Sequence, residues 1–277
     1  MDYENALTEN MMTEKLYAIR DVAEMTGVKP VTLRAWQRRY HLVQPQRTEK
    51  GHRLYSQEDI ATIRIIQGWL AKGVSIGKVS ALLSGSESII DTLANHGSEL
   101  LEQEQLLQAL VDLNKGKAES TIATVLKEYP LEIVEQQFVF PVIDTLERVK
   151  GPLRSLQKGL FQALMISKLS SIIEAENKAA TKGKCLCVNL DPTSSILAWL
   201  WFVGKVEAGY NLTILDGVED LTALVDHDAL ANYQQVALFA NRALTEQQVQ
   251  ALRKLRISLG DKLSLSDVVA RLHHSLD

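Results

Sequence analysis

Apolar positions along the 277-residue chain follow three successive patterns. From Tyr17 to Leu83 they recur at short helical spacings broken by polar turns. Ile19–Glu24 reads as a short amphipathic helix, and Met25–Val28 as a tight turn with Gly27 at its corner. The string PVTLRAWQRRY (30–40) is a second helix, with Pro30 where a first helical turn tolerates a missing N–H. Val31, Leu33 and Trp36 are expected to share its packing face. QRTEKGHRLYS (46–56) is a β-hairpin candidate turning at Gly51. Ser56 and Asp59 form a capping box for a helix running to Leu70, whose apolar stripe is Ile60, Ile63, Ile66 and Leu70. One more short helix begins at Val74.

Ser84–Ser88 reads as a linker. From Ile89 to Ala180 the spacing is helical throughout, with candidate helices Ser98–Asn114, Lys117–Tyr129, Leu131–Val149 and Leu153–Asn177, punctuated by Pro130 and Gly151-Pro152. This predicts a bundle of antiparallel helices. After Gly183 the period changes. KCLCVNL (184–190), NLTIL (211–215) and QVALFA (235–240) read as strands. They alternate with helices over Thr193–Ala208, Val218–Ala231 and one opened by the capping box Thr245–Gln248. That alternation predicts a parallel sheet with right-handed crossovers. Ser264–His274 is read as a last helix. The expected fold is multidomain, α and α/β. Residues 1–15 are mobile, 16–85 form a winged helix-turn-helix head, 86–180 a cap-like helical bundle, and 181–277 a Rossmann-like domain with a parallel sheet.

Composition narrows the class. Apolar residues make up 46% and charged residues 23%, ordinary globular values that argue against global disorder. The longest apolar run, Ile196–Val203, is eight residues, against about twenty for a membrane span, so no membrane partner is expected. MDYENALTENMMTEK (1–15) lacks the basic start and apolar stretch of a signal peptide. Cys185 and Cys187 are the only cysteines; a pair that close cannot staple a domain, and a reducing cytoplasm is expected.

Net charge is −4, but its distribution is uneven. Between Tyr17 and Leu83 there are 11 Lys/Arg against 5 Asp/Glu, a net +6, while residues 84–277 carry a net −7. A basic head on an acidic body suits a module that docks on a polyanion while the rest stays off it. Two short helices joined by a glycine turn, the second carrying Arg34, Arg38 and Arg39, make a helix-turn-helix. Arg47, Lys50, His52 and Arg53 lie on the arms of the following hairpin. Arg34 suits a guanine edge or a phosphate. Arg53 suits the minor groove or a phosphate. Tyr55 suits either packing or donation to a phosphate, and Trp36 either core or contact.

Over about 67 residues the string from Tyr17 to Leu83 resembles the DNA-binding domain of the MerR family of bacterial regulators. The matching marks are Thr32-Leu33-Arg34 on the second helix, Gly51-His52-Arg53-Leu54-Tyr55 in the wing and Asp59-Ile60 on the next helix. The form TLRAWQRRY is similar to the MlrA-like branch, which regulates curli and biofilm genes, and to the cobalamin-dependent photoreceptor repressors. The resemblance implies a homodimer on double-stranded promoter DNA, acting with RNA polymerase as an activator of biofilm or matrix genes. It implies DNA contacts from Thr32, Arg34, Trp36, Arg38, Arg39, Arg47, Lys50, His52, Arg53 and Tyr55. The small-molecule effector is left open.

More weakly, residues from about Glu99 to Asp277 resemble cobalamin-binding modules, whose loop after the first strand carries an Asp-x-His-x-x-Gly motif. Here Pro192, Ser194 and Leu197 stand at those three positions. Val149 and Gly159-Leu160 replace the tryptophan and Glu-His pair of the light-sensing caps. The module is therefore read as degenerate, with no cofactor expected. A cobalamin- or ligand-responsive, light-sensing repressor is the alternative. Trp199 and Trp201, on an apolar helix, suit core or subunit interface, with ligand stacking the other option. Cys185 and Cys187 lie on one strand face. Two ligands fall short of a zinc site, so the pair reads as buried thiols, with a redox sensor as the other option. No P-loop, GxGxxG or HExxH occurs, and no nucleophile, base and orienting residue group by spacing, so neither a catalytic site nor an enzyme is expected.

Overall fold

The computed structural model describes residues 15–84 and 100–273. It divides into two compact units, residues 1–108 with 123–145 and residues 109–122 with 146–277. The expected linker Ser84–Ser88, beyond Ser84 itself, and the expected mobile N-terminus, apart from Lys15, lie outside the described residues.

The first unit opens with β1 (Tyr17–Ala18) and α1 (Ile19–Thr26). The Ala18 N–H donates to Asp21 at 3.3 Å, and α1 stops at Gly27, which takes φ +71°, a left-handed conformation that a side chain would strain. After Pro30, α2 (Pro30–Ala35) runs directly into a π-turn over Trp36–Tyr40. The wing is a pair of short strands, β2 (Gln46–Arg47) and β3 (Arg53–Tyr55), closed by a loop in which Gly51 adopts φ +80°. β3 is central, with β1 on its other edge, all antiparallel; the two-residue β1 is too short to show in the sequence pattern. α3 (Gln57–Ala71) starts at the expected capping box, with Asp59 N donating to Ser56 Oγ at 3.0 Å and Ser56 N to Asp59 Oδ2 at 2.9 Å. Ile60, Ile63, Ile66 and Leu70 are all buried, together with Leu33 and Trp36, whereas Val31 is exposed, contrary to the expected packing face. α4 spans Ile76–Leu83.

Two later segments complete this unit: the start of α5 (Leu101–Val111), and the end of α6 (Lys115–Glu128) together with residues 129–145. The expected helix Leu131–Val149 forms as α7 (Leu131–Val134), a π-turn over Glu135–Val139, and α8 (Phe140–Arg148). Gln137 in that turn is buried and donates to the Leu70 carbonyl at 2.9 Å, supplying a donor to the end of α3.

The second unit contains α9 (Leu153–Asn177) and a four-stranded parallel sheet of β4 (Lys184–Asn189), β5 (Asn211–Leu215), β6 (Gln235–Phe239) and β7 (Leu263–Leu265), ordered β5-β4-β6-β7. One face of β4, with Leu186 and Val188, packs into a core with Val236, Leu238, Leu252 and Leu255. The helices here are α10 (Ile196–Glu207), α11 (Glu246–Leu259) and α12 (Asp267–Leu272). Two expectations fail. The helix read over Val218–Ala231 is a pair of 3-10 turns, Thr222–Leu224 and Asp228–Asn232. Asp220 accepts from both Thr222 N and Thr222 Oγ1, at 2.8 and 2.7 Å, a local side-chain bond that competes with helix. The helix read over Ser264–His274 begins only at Asp267, because Leu263–Leu265 pairs with β6 as the sheet edge.

Candidate nucleic-acid interface

α2 and its π-turn sort their residues by face. At 3.6 residues per turn, Arg34 and Arg38 point roughly opposite to Trp36 and Tyr40. Arg34 and Arg38 are exposed; Leu33, Ala35 and Trp36 are buried. In the wing Arg47, Lys50 and His52 are exposed and Arg53 is half-buried. His52 N donates to Thr48 Oγ1 at 3.0 Å and Thr48 N to the His52 carbonyl at 2.9 Å, which sets the loop carrying Lys50. Arg53 Nε donates to Gln37 Oε1 at 2.6 Å and so ties the wing to the π-turn that follows α2.

The register of the wing places Arg47 directly opposite Arg53. Like charges at opposed positions repel. Among the described residues Arg34, Arg38, Arg47 and Lys50 make no ion pair. Such a surface gains by meeting an external anion, and a phosphodiester backbone is one that arginine and lysine side chains contact.

Three of the ten residues picked from the sequence lie inside the fold. Thr32 and Tyr55 are buried, each with a hydroxyl that finds no hydrogen-bond partner; burial pushes the Tyr55 phenol above its ordinary range. Trp36 is buried, and its indole N–H donates to the Glu128 carbonyl at 2.8 Å. Arg39 is half-exposed and forms an ion pair with the Glu128 carboxylate, while Tyr40 Oη donates to the other oxygen at 2.5 Å. Burial first, then that carboxylate, raise the Tyr40 phenol. Sequence reasoning missed Glu128: it reads as one more acid on an amphipathic helix, and nothing local signals its burial. Nearby, Tyr129 Oη accepts from Ile76 N at 3.3 Å and donates to Glu102 at 3.2 Å.

In the second unit the positions aligned with a corrin-binding loop are occupied by a closed hydrogen-bond set at the carboxyl end of β4. Ser194, at φ +62°, donates its N–H to Asp216 Oδ2 at 2.8 Å. Asn189 Nδ2 donates to Asp216 Oδ1 at 2.7 Å and Trp199 Nε1 to Oδ2 at 3.3 Å. Gln162 of α9 donates to the Ser194 carbonyl at 3.1 Å. His227 Nδ1 accepts from Ala229 N and His273 Nε2 from Leu244 N, so both described histidines of this unit serve the backbone. A histidine-ligated cobalt corrin does not fit this donor set: the loop offers hydroxyls where cobalt would need imidazole. Trp201 packs its ring 5.7 Å from Phe239, with the Lys205 ammonium 4.5 Å above it. Cys185 and Cys187 are buried, with sulfurs 3.7 Å apart; the hydrogen bond between them, then burial, push the Cys187 thiol far up. Among the described residues no group of three or more His, Cys, Asp or Glu could hold a metal, and no helix is long and apolar enough to cross a membrane.

Residues 17–86 match the family described as MerR HTH family regulatory protein. The chain is 32% identical over 203 residues to the HTH-type transcriptional regulator MlrA of Salmonella typhimurium, covering 72% of this chain and 79% of that relative. It is 31% identical over 202 residues to MlrA of Escherichia coli, with the same shares. To the HTH-type transcriptional repressor CarH of Myxococcus xanthus it is 27% identical over 174 residues, 59% of this chain and 58% of that one. These relatives are regulators, not enzymes.

Proposed function

The chain belongs to the MerR family of HTH-type transcriptional regulators, and on that premise we propose that it works as a cytoplasmic homodimer on double-stranded promoter DNA. In this reading residues 16–85 are the DNA-binding domain, while 86–180 and 181–277 supply the bundle and the α/β module. Paired α2 helices enter successive major grooves of a twofold operator, with the wings on flanking backbone. Arg34 reads a base edge or clamps a phosphate, and Arg38, Arg47, Lys50, His52 and Arg53 hold the backbone. Thr32, Trp36 and Tyr55 support this surface from within. The likeness to MlrA favours activation, with RNA polymerase, of biofilm or matrix genes.

The observation that carries this reading is the exposed basic surface of α2 and the wing, with Arg47 opposed to Arg53. The test is DNA affinity against salt. Five phosphate contacts give a log–log slope of roughly −4 to −5 per protomer; a slope near zero overturns the proposal. Light scattering on the full chain checks the dimer, and a monomer at micromolar concentration removes it.

For the body we propose no histidine-ligated cobalamin and no light switch, on the strength of the closed set around Asp216. Equilibrium dialysis with adenosylcobalamin, in darkness and after illumination, decides. Stoichiometric micromolar binding, or a light-dependent change of size, would replace this reading with a light-sensing repressor.

A further inference from the structure

We infer that Glu128 is a positioning residue for the DNA-reading helix, and that Arg39 acts through Glu128 instead of on a phosphate. The inference rests on the DNA-binding reading above. Glu128 is fully buried, while the Arg39 side chain paired with it is 51% exposed. A buried carboxylate is tolerated only when its oxygens are paired and hydrogen-bonded. Arg39 pairs with Oε1, Tyr40 donates to Oε2, and the backbone carbonyl of the same residue takes the Trp36 indole. Residues 36, 39 and 40 follow the i, i+3, i+4 spacing that puts side chains on one helix face. Ser80 Oγ adds a bond to the Tyr40 carbonyl at 2.9 Å.

Arg39 therefore belongs to the inward face. Arg38 leaves the helix about 100° round from it and Arg34 about 140° round, and both are exposed. The charge that composition assigns to the DNA surface is, at Arg39, already engaged by a carboxylate. What Glu128 provides is orientation. It holds the second half of the helix at three points, which fixes the direction in which Arg34 and Arg38 leave the backbone.

The experiment uses the full chain, a duplex selected from a random-sequence pool by the wild-type protein, and a scrambled duplex of equal length. Arg39→Gln is expected to weaken binding to the selected duplex on the order of tenfold, to leave the scrambled duplex nearly unchanged, and to leave the salt slope unchanged. Arg38→Gln is expected to weaken both alike and to reduce the slope by about 0.9 per protomer. Glu128→Gln should match Arg39→Gln, and the double variant should lose little beyond either single change. A fall in slope for Arg39→Gln equal to that of Arg38→Gln, or losses that multiply in the double variant, overturns the inference and leaves the DNA-binding reading standing. A wild-type slope near zero overturns both. Should Glu128→Gln fail to fold, the slope and the selected-to-scrambled ratio of Arg39→Gln still decide.

Discussion

Two carboxylates do similar work in the two units and leave opposite surfaces behind. In the first, Glu128 collects an arginine, a phenol and, on its carbonyl, an indole, all from the inner side of the π-turn that continues α2. The outer side keeps Arg34 and Arg38 exposed. In the second, Asp216 collects an amide side chain, a backbone N–H and an indole at the end of the sheet where parallel α/β folds receive ligands. There the donors are spent on the Asp216 carboxylate. The difference teaches where to look for function. A pinning carboxylate behind a surface organises it, and one within a surface closes it.

Trp36→Ala is the strongest way to break the comparison. It removes a buried indole and its bond to Glu128, for a loss of about 3–5 kcal/mol in denaturant unfolding; Trp199→Ala, at a half-buried site, should cost clearly less. Equal losses would show that the two indoles are held alike. Next comes Asp216→Ala, which strands three donors and should cost about 1–3 kcal/mol. DNA affinity of the folded variant should stay at the wild-type value, and a large change would tie the closed loop to the head.

Arg34→Ala sharpens the other side. If its contact is bidentate to a base, discrimination between operator and scrambled duplex falls by about 1–3 kcal/mol, whereas Lys50→Ala weakens both duplexes equally. A smaller effect is expected from the two capping boxes. Ser56→Ala and Thr245→Ala should each lose about 1 kcal/mol, and the salt slope should hold in both. Least of all is expected at Cys185 and Cys187: an aromatic disulfide reagent should leave both thiols unmodified until the protein unfolds, since both are buried out of its reach. Rapid labelling of native protein would reopen the redox option.

Much of the fold is legible in the sequence wherever the cause is local. The stripe Ile60, Ile63, Ile66 and Leu70, the Ser56 and Thr245 boxes, Pro30 and Gly27 declare their elements within a few residues. The change of period after Gly183 announces the sheet. The hidden features depend on distant partners. Leu263–Leu265 is a strand only because β6 offers it an edge, and the stretch Val218–Ala231 has helical spacing that Asp220 and Thr222 override with a turn. Of the ten proposed contacts, the charged ones are recognisable by type. That Thr32, Trp36 and Tyr55 sit inside, and that Arg39 has a carboxylate waiting, requires the fold.

The bond from Trp36 to Glu128 joins residues 92 positions apart. A ribosome adding about 5–20 residues per second reaches Glu128 roughly 5–18 s after Trp36. Before that interval ends the nascent head has gained its full set of arginines, but the carboxylate that orients the helix has not yet been made. Translation thus orders two events: a basic chain first, and an aimed reader of DNA only after residues far downstream have been synthesised.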